Sequence, residues 1–165
     1  MDDRAAIDPA DLPLYFAYGS NLDPAQMEIR CPGHRVLCRA RLHDHVLAFH
    51  GESRTWGGAV ASVDPRAGSI VHGVVYELGA GDFERLDRAE GYVAPGDSRN
   101  SYERVQMPVE LENGEMLEVF TYVRSGPEPA GLPTRDYRWA ILSGMRHHGL
   151  PAEAIAAVSA LEVRG

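Results

Sequence analysis

The feature that most constrains the fold is a series of short segments rich in aromatic and β-branched residues. Six of them are predicted as strands, over 14–18, 36–49, 57–63, 70–76, 102–111 and 115–123. Three or four helices are predicted, one after Asp23, one over 79–89 and two near the end of the chain. Strands in succession with helices gathered late favour an α+β fold. Because short antiparallel strands in a small chain often close on themselves, we expect a small, mostly antiparallel β-barrel of about six strands flanked by these helices.

Local signals set several boundaries. Asp23 followed by Pro24 predicts a helix cap and the first helical position, and Thr134 is predicted to cap a later helix. The dipeptide Asn113-Gly114 predicts a hairpin between the last two strands. Asp64-Pro65 is predicted to close the strand over 57–63.

The composition is that of an ordinary globular domain. The chain has 165 residues, of which 44% are apolar and 24% charged. A chain of this length buries about 70% of its unfolded surface, which suffices for one core and not for two large domains. Residues 1–12 are polar and lack periodicity, so we expect a flexible N-terminal tail followed by a single domain over 13–165.

The charge balance disfavours two classes of partner. With 16 Lys and Arg against 24 Asp and Glu, the net charge is −8. Nucleic acids and anionic membrane surfaces recruit clustered basic residues, so neither is expected as a partner. No apolar run is long enough to span a membrane, and the first residues lack the pattern of a secretory signal. Two cysteines are too few for a disulfide scaffold, and a cytoplasmic location is predicted.

The segment Tyr18-Gly19-Ser20-Asn21-Leu22 is the first candidate for chemistry. A strand that stops at glycine just before a helix start directs several backbone N–H groups to one point, and such a nest holds carboxylate or phosphate oxygens. A plain tight turn with a helix cap is the competing interpretation. The spacing does not match that of a Gly-rich phosphate loop with its lysine, so nucleotide binding is disfavoured.

Glu90 is the second candidate. It lies at the end of a predicted helix, where the negative end of the helix dipole disfavours the ionised carboxylate. A carboxyl with raised proton affinity suits general acid/base catalysis. However, Glu90 is one of 24 acidic residues, so a solvated surface position is the simpler interpretation when it is considered alone.

Cysteine and histidine side chains form a third group. Its members are Cys31, His34, Cys38, His43, His45 and His50. The spacing of Cys31 and His34 could begin a zinc site, but positions 38 and 43 face opposite sides of a predicted strand. No residue orients a Cys–His nucleophile pair. We therefore predict no metal, and structural or surface roles for the seven histidines.

Two motifs together resemble those of the γ-glutamylcyclotransferase family, whose wider superfamily includes AIG2-like plant proteins and γ-glutamylamine cyclotransferases. They are Tyr15-Phe16-Ala17-Tyr18-Gly19-Ser20-Asn21-Leu22 and Leu86-Asp87-Arg88-Ala89-Glu90-Gly91. The resemblance runs from Leu14 to Pro151 and includes Thr55-Trp56-Gly57-Gly58-Ala59 and Tyr137. It implies a small antiparallel β-barrel flanked by helices, in agreement with the pattern of strands.

The resemblance also implies an activity, the release of 5-oxoproline from a γ-glutamyl amide or γ-glutamyl amino acid. The α-amine of the substrate attacks its own γ-carbonyl, so no cofactor, metal or protein nucleophile is required. By the same resemblance Glu90 is the catalytic general acid/base. The implied substrate-binding residues are Tyr15, Phe16, Ala17, Tyr18, Gly19, Ser20, Asn21, Leu22 and Tyr137, with core packing as the alternative role for Tyr137.

One part of the chain departs from the family pattern. A polar loop over 93–101 separates Gly91-Tyr92 from Tyr102-Glu103-Arg104, an arrangement that looks like the broader superfamily. Because this loop follows Glu90, we expect it to shape the leaving-group side of the site. The sequence does not identify the leaving amine or amino acid.

Other functions stay open at this point. A non-catalytic protein could bind a small anionic metabolite in the same cavity, and a γ-glutamylamine cyclotransferase would release a different amine. A cysteine-dependent amidase using Cys31 or Cys38 is a more distant alternative. No apolar stripe marks an interface, so the choice between monomer and homodimer is also open.

Overall fold

The structure is a computed structural model that describes residues 8–9, 11–126 and 128–165. Within these residues, five strands form a closed barrel and four α-helices accompany it, which confirms the predicted α+β barrel with one strand fewer than expected. Most of the tail predicted over 1–12, namely residues 1–7 and 10, lies outside the described residues. Among the helices of the described part, none is long and apolar enough to cross a membrane.

The barrel order is β1-β3-β2-β4-β5, with antiparallel pairs throughout except where β1 meets β5 in parallel and closes the barrel. The strands are β1 (Leu14–Ala17), β2 (Arg35–His50), β3 (Val60–Glu77), β4 (Tyr102–Leu111) and β5 (Met116–Arg124). The helices are α1 (Pro24–Arg30), α2 (Asp82–Glu90), α3 (Arg135–His147) and α4 (Ala152–Ser159). A single 3-10 turn, Ser20–Leu22, lies between β1 and α1.

The strand count differs because the segments predicted over 57–63 and 70–76 belong to one strand, β3. The prediction that Asp64-Pro65 ends a strand is therefore wrong. Pro65 pairs with His45 beside a register shift, where Asp44 has a φ of 59°. A proline is tolerated at such a bulge because the ladder there does not require its missing N–H.

Several local predictions are confirmed. Asp23 caps α1 by accepting a hydrogen bond from the N–H of Ala25 at 3.2 Å, and Thr134 caps α3 by accepting one from the N–H of Tyr137 at 3.3 Å. The hairpin predicted at Asn113-Gly114 joins β4 to β5. The side chains of Asp23 and Thr134 satisfy N–H groups that the first turn of each helix leaves without partners.

Gly144 allows α3 to lie directly against the turn that follows β1. A Cβ built on Gly144 would lie 2.3 Å from the carbonyl carbon of Leu22 and 2.5 Å from its Cβ. The helix therefore supports the Ser20–Leu22 turn from behind, and the position of that turn depends on this close approach.

Alanine in place of Gly144 tests this contact. Alanine normally stabilises a helix interior relative to glycine by about 1 kcal/mol. Here we expect Gly144→Ala to lower the free energy of unfolding by about 1–3 kcal/mol, the usual cost of overpacking, because backbone would have to move. Urea denaturation measures the change, with Ser143→Ala on the same helix as the control. A Gly144→Ala protein as stable as the wild type would contradict the close packing.

Candidate active site

A cavity of about 500 Å³ lies where the turn after β1 meets the end of α2. Gly19, Ser20 and Asn21 form one part of its wall, and Glu90 faces them from α2. The loop over 51–59, the N-terminal part of α3 and residues of β3, β4 and β5 also line the cavity. The cavity therefore joins the two motifs that are far apart in the sequence.

Glu90 is the last residue of α2 and is largely shielded from solvent, with 13% of its side chain exposed. Its Oε1 accepts a hydrogen bond from Nδ2 of Asn21 at 2.9 Å, and Nη1 of Arg30 lies 3.5 Å from the same oxygen. Gly91 follows in the left-handed conformation, with a φ of 68°, and ends the helix. The simpler interpretation of Glu90 as a solvated surface residue is therefore wrong.

Asn21 connects the turn to Glu90. Its Nδ2 also donates to the phenol oxygen of Tyr15 at 2.8 Å. Its Oδ1 accepts from Nε2 of Gln26 at 2.7 Å and from Nη1 of Arg30 at 2.9 Å. Because both donors require an oxygen at that position, the amide group has one orientation, with its NH₂ directed at Glu90.

Burial raises the pKa of Glu90 above its ordinary value, and the nearby charge of Asp87 acts in the same direction. Arg30, the hydrogen bond from Asn21 and Arg124 act against this rise in the pKa. The helix dipole suggested the same direction from sequence, but the first cause in the structure is desolvation. A carboxyl with a raised pKa exchanges protons more readily near neutral pH, as a general acid/base must.

Four of the residues expected to bind substrate around the first motif do line the cavity, and four do not. Tyr18, Gly19, Ser20 and Asn21 line it, as does Tyr137 from α3. Tyr15, Phe16, Ala17 and Leu22 are absent from the lining and are at most 4% exposed. Of these four, Tyr15 touches the site through its bond to Asn21.

The backbone explains why three of these residues stay out of the cavity. The carbonyl oxygen of Phe16 accepts from the hydroxyl of Thr121 at 2.8 Å, and that of Leu22 lies 3.0 Å from Nε2 of His148. Ala17 pairs with Val74 in the barrel ladder. Their polar groups are thus occupied within the protein, and we expect these residues to support the turn and not to contact substrate.

Tyr137 packs in the core, as one of the two interpretations has it, and also lines the cavity, while its contact with substrate stays a prediction. Its ring packs 5.0 Å from that of Trp56, and its hydroxyl accepts the N–H of Ala61 at 2.8 Å. The hydroxyl of Tyr102 donates to the carbonyl of the same Ala61 at 2.8 Å. A Cβ on Gly19 would lie 3.2 Å from Cβ of Ala61 and 3.5 Å from the Tyr137 hydroxyl, so glycine allows these groups to meet.

Sequence reasoning did not single out several cavity residues, namely Arg30, Arg54, Arg88, Tyr102, Tyr122 and Arg124. Tyr102 was visible as the start of the Tyr102-Glu103-Arg104 motif, and Arg30 as the end of the short helix after Asp23. Arg88 was quoted within the second motif, two residues before Glu90, but was given no role. Arg54, Tyr122 and Arg124 had no local signal, because their place in the wall depends on how the chain folds.

The loop over 93–101 contributes less than expected to the cavity. Of its residues, Ser101 is part of the wall, and so is Gly91, which lies two residues before the loop. The loop is organised internally by Asn100, whose Oδ1 accepts from the N–H of Val93 and whose Nδ2 donates to the carbonyl of Ala94, both at 2.6 Å.

The cysteine and histidine cluster does not assemble at the cavity. Cys31 is buried with its sulfur 3.8 Å from the carbonyl oxygen of Asp82, and burial raises the pKa of its thiol to about 12. Nδ1 of His34 meets the carbonyl of Cys31 at 2.7 Å. Neither cysteine lines the cavity, and no group of three His, Cys, Asp or Glu side chains within the described residues could hold a metal ion. A protonated, buried thiol is a poor nucleophile.

Comparison with known proteins agrees with this geometry. The family model described as "Gamma-glutamyl cyclotransferase, AIG2-like" matches residues 15–140. The chain is 31% identical over 153 residues to the human γ-glutamylcyclotransferase, which covers 90% of this chain and 78% of that protein. The bovine γ-glutamylcyclotransferase is 29% identical over the same shares.

Solved structures extend the comparison. A structure of a γ-glutamyl cyclotransferase matches with a TM-score of 0.84 at 29% identity, covering 92% of this chain and 88% of that one. YkqA from Bacillus subtilis matches with a TM-score of 0.72 at 21% identity, covering 92% of this chain and 55% of that one, which shows a shared fold. The predicted resemblance and the predicted enzyme class are confirmed by these relatives. The chain belongs to the γ-glutamyl cyclotransferase, AIG2-like family.

Proposed function

We propose that this protein releases 5-oxoproline from γ-glutamyl compounds, with Glu90 as the general acid/base. The observation that carries the proposal is the environment of Glu90, a shielded carboxyl that faces a 500 Å³ cavity and is bonded to Asn21 of the opposite wall. The named activity of the relatives supports the same conclusion.

The reaction needs a proton shuttle and no external nucleophile. The α-amine nitrogen of the glutamyl group attacks the γ-carbonyl carbon, a five-membered lactam forms, and the bond to the leaving nitrogen breaks. Ionised Glu90 takes a proton from the α-ammonium group and delivers one to the leaving nitrogen. Holding the amine against the carbonyl can contribute about 7–11 kcal/mol to lowering the barrier.

The turn after β1 suits the anionic glutamyl group. The N–H groups of Ser20 and Asn21 open a 3-10 turn and have no acceptor in the part of the chain that the structure describes. We expect them to bind the α-carboxylate or the developing oxyanion. Such local donors are needed because a chain with a net charge of −8 would otherwise repel this substrate.

The wall of the cavity favours one class of leaving group. Arg54 and Arg88 line it as exposed side chains, and neither forms an ion pair within the described residues. Two unpaired guanidinium groups suit a leaving group that carries a carboxylate. A γ-glutamyl amino acid therefore fits the cavity better than a γ-glutamyl amine. The alternative of a non-catalytic metabolite-binding protein gives the carboxyl of Glu90 no role.

A panel of γ-glutamyl compounds tests the proposal. We expect the purified protein to release 5-oxoproline, measured by mass spectrometry, and to favour γ-glutamylalanine over γ-glutamylalaninamide, which differs only in the terminal carboxylate. Glutathione and γ-glutamyl-ε-lysine extend the panel. Binding of these compounds without any 5-oxoproline would support the metabolite-binding alternative and contradict the proposal.

Metal removal is expected to leave the rate unchanged. Neither the ring closure nor the proton transfer needs a Lewis acid when Glu90 carries the proton. Turnover measured before and after EDTA treatment and dialysis checks this, with readdition of zinc as the control. A strong loss of activity that zinc restores would contradict the metal-free mechanism and reopen a role for Cys31 and His34.

A further inference from the structure

Three charged or phenolic groups beside the cavity have been given no role in the reaction so far. They are Asp87 of α2, Arg104 of β4 and Tyr122 of β5. The hydroxyl of Tyr122 donates to Oδ1 of Asp87 at 2.5 Å, and Nη1 of Arg104 is paired with its Oδ2. Asp87 and Arg104 are 19% and 18% exposed, so this cluster is largely shielded from solvent. Both oxygens of Asp87 are therefore held by side chains of the barrel.

Arg104 is fixed as firmly as its partner. Its guanidinium carbon lies 4.8 Å from the ring centre of Tyr92, 5.6 Å from that of Phe120 and 5.9 Å from that of Phe83. Cation–π contacts of this kind stabilise a cation and limit its movement. The Tyr102-Glu103-Arg104 motif thus supplies the cation that holds Asp87.

Asp87 also holds the end of the helix through its backbone. Its carbonyl oxygen accepts the N–H of Tyr92 at 2.8 Å, just beyond the left-handed Gly91. Helix ends fray unless such groups are satisfied. Because Glu90 is the last residue of α2, the anchoring of this turn determines where its carboxyl lies.

We propose that Asp87 is a positioning residue for Glu90: clamped between the Tyr122 hydroxyl and the Arg104 guanidinium, it fixes the last turn of α2 against the barrel so that the Glu90 carboxyl faces Asn21. The proposal rests on the proposed function, in which Glu90 moves the proton. It assigns a role to the aspartate three residues before the catalytic carboxyl and to the arginine that follows the loop over 93–101.

The charge of Asp87 has a second effect. Residues three apart on a helix are neighbours, and a nearby negative charge disfavours ionisation of Glu90. Burial is the first cause of the raised pKa of Glu90, and Asp87 adds to it. Other groups that interact electrostatically with Glu90 are Arg30 from α1, Arg124 from β5, the thiol of Cys31, and the phenols of Tyr15, Tyr18, Tyr102, Tyr122 and Tyr137. Asp87 is the acidic side chain among the main causes of this pKa shift.

Asp87→Asn is the central test. We expect kcat/KM for γ-glutamylalanine to fall about 10- to 100-fold, the loss associated with a displaced catalytic group. Because the anion is removed, the pKa of Glu90 should fall, and the acidic limb of the pH profile of kcat/KM should move to lower pH. Wild-type kcat/KM, or a loss with the limb unmoved, would overturn the proposal.

Glu84→Gln is the matched control. Glu84 is an exposed acid on the same helix, and its replacement removes the same charge without touching the cluster. We expect its kcat/KM and pH profile to equal those of the wild type. A limb that moved equally in Glu84→Gln would show a general charge effect and would overturn the role assigned to Asp87.

Tyr122→Phe keeps the test decisive if Asp87→Asn does not fold. It removes one hydroxyl and leaves the ion pair with Arg104 intact, so we expect a fall in kcat of about tenfold with KM little changed. The double variant with Asp87→Asn should be no slower than Asp87→Asn alone, since Tyr122 acts through Asp87. An effect on KM alone would show direct substrate contact by Tyr122 and contradict the proposal.

Titration of the Glu90 carboxyl by ¹³C NMR separates this inference from the proposed function. The signal is assigned by its loss in Glu90→Gln, and no substrate is needed. We expect the pKa of Glu90 to be lower in Asp87→Asn than in the wild type. If the wild type releases no 5-oxoproline but this change occurs, the proposed function fails and the electrostatic coupling stands; an unchanged pKa overturns the coupling whatever the activity.

Discussion

Glu90→Gln is expected to remove 5-oxoproline release, with a loss of at least about 10²-fold in kcat/KM. The amide of glutamine can still accept a hydrogen bond from Nδ2 of Asn21, which lies 2.9 Å from Oε1 of Glu90, so the geometry of the wall should persist. The glutamine side chain cannot take a proton from the α-ammonium group of the substrate. Steady-state assays with γ-glutamylalanine measure the loss, and turnover at the wild-type rate would refute the assignment of Glu90.

The same variant has a predicted effect on stability. Because burial raises the pKa of Glu90, the folded protein binds more protons than the unfolded chain between the ordinary glutamate pKa and the raised one. The free energy of unfolding of the wild type therefore falls as the pH rises through that window. Glu90→Gln does not titrate, so it should match the wild type below the window and be more stable above it.

Glu84→Gln again serves as the control, because it removes one exposed carboxyl from the same helix. We expect its activity to equal that of the wild type and its stability to differ little at any pH. Urea denaturation at a series of pH values, upward from about pH 4 near the ordinary glutamate pKa, follows the difference between the two proteins through the window. A Glu90→Gln protein less stable than the wild type above the window would contradict the desolvation of this carboxyl.

Local chemistry in the sequence predicted most of the elements of this fold. The caps at Asp23 and Thr134 and the Asn113-Gly114 turn depend on neighbouring residues only, and the structure has all three. Pro65 misled the prediction because its effect depends on the partner strand. A bulge in β2 at Asp44 makes the proline acceptable in the middle of β3, and no local pattern in β3 reveals it.

The site shows the same division. The resemblance singled out Gly19, Asn21 and Glu90, and the barrel brings these residues to one cavity. It did not distinguish them from Phe16 and Leu22, which lie next to them in the motif but have buried side chains and bonded carbonyls. The strand and turn decide which side chains reach the cavity, and that depends on how β1 packs between β3 and β5.

Asn21→Asp is expected to change the same carboxyl from the opposite wall of the cavity. The substitution keeps the shape of the side chain and its acceptance of hydrogen bonds from Gln26 and Arg30. It removes the N–H donors to Glu90 and to Tyr15. In the wild type Nδ2 of Asn21 lies 2.9 Å from Oε1 of Glu90, so the substitution places a second carboxylate oxygen about 3 Å from the Glu90 carboxylate. Two such carboxylates do not ionise together easily, so the pKa of Glu90 should rise.

The kinetic consequence follows from the form of Glu90 that accepts the proton. If ionised Glu90 is the base, the acidic limb of the pH profile of kcat/KM should move to higher pH in Asn21→Asp, which is the opposite of the shift expected for Asp87→Asn. The rate at neutral pH should fall about 10- to 100-fold. Asn113→Asp in the exposed hairpin is the control, because an aspartate oxygen there can still accept the N–H of Glu115. An Asn21→Asp enzyme with an unmoved limb would mean that the turn after β1 does not control the proton on Glu90.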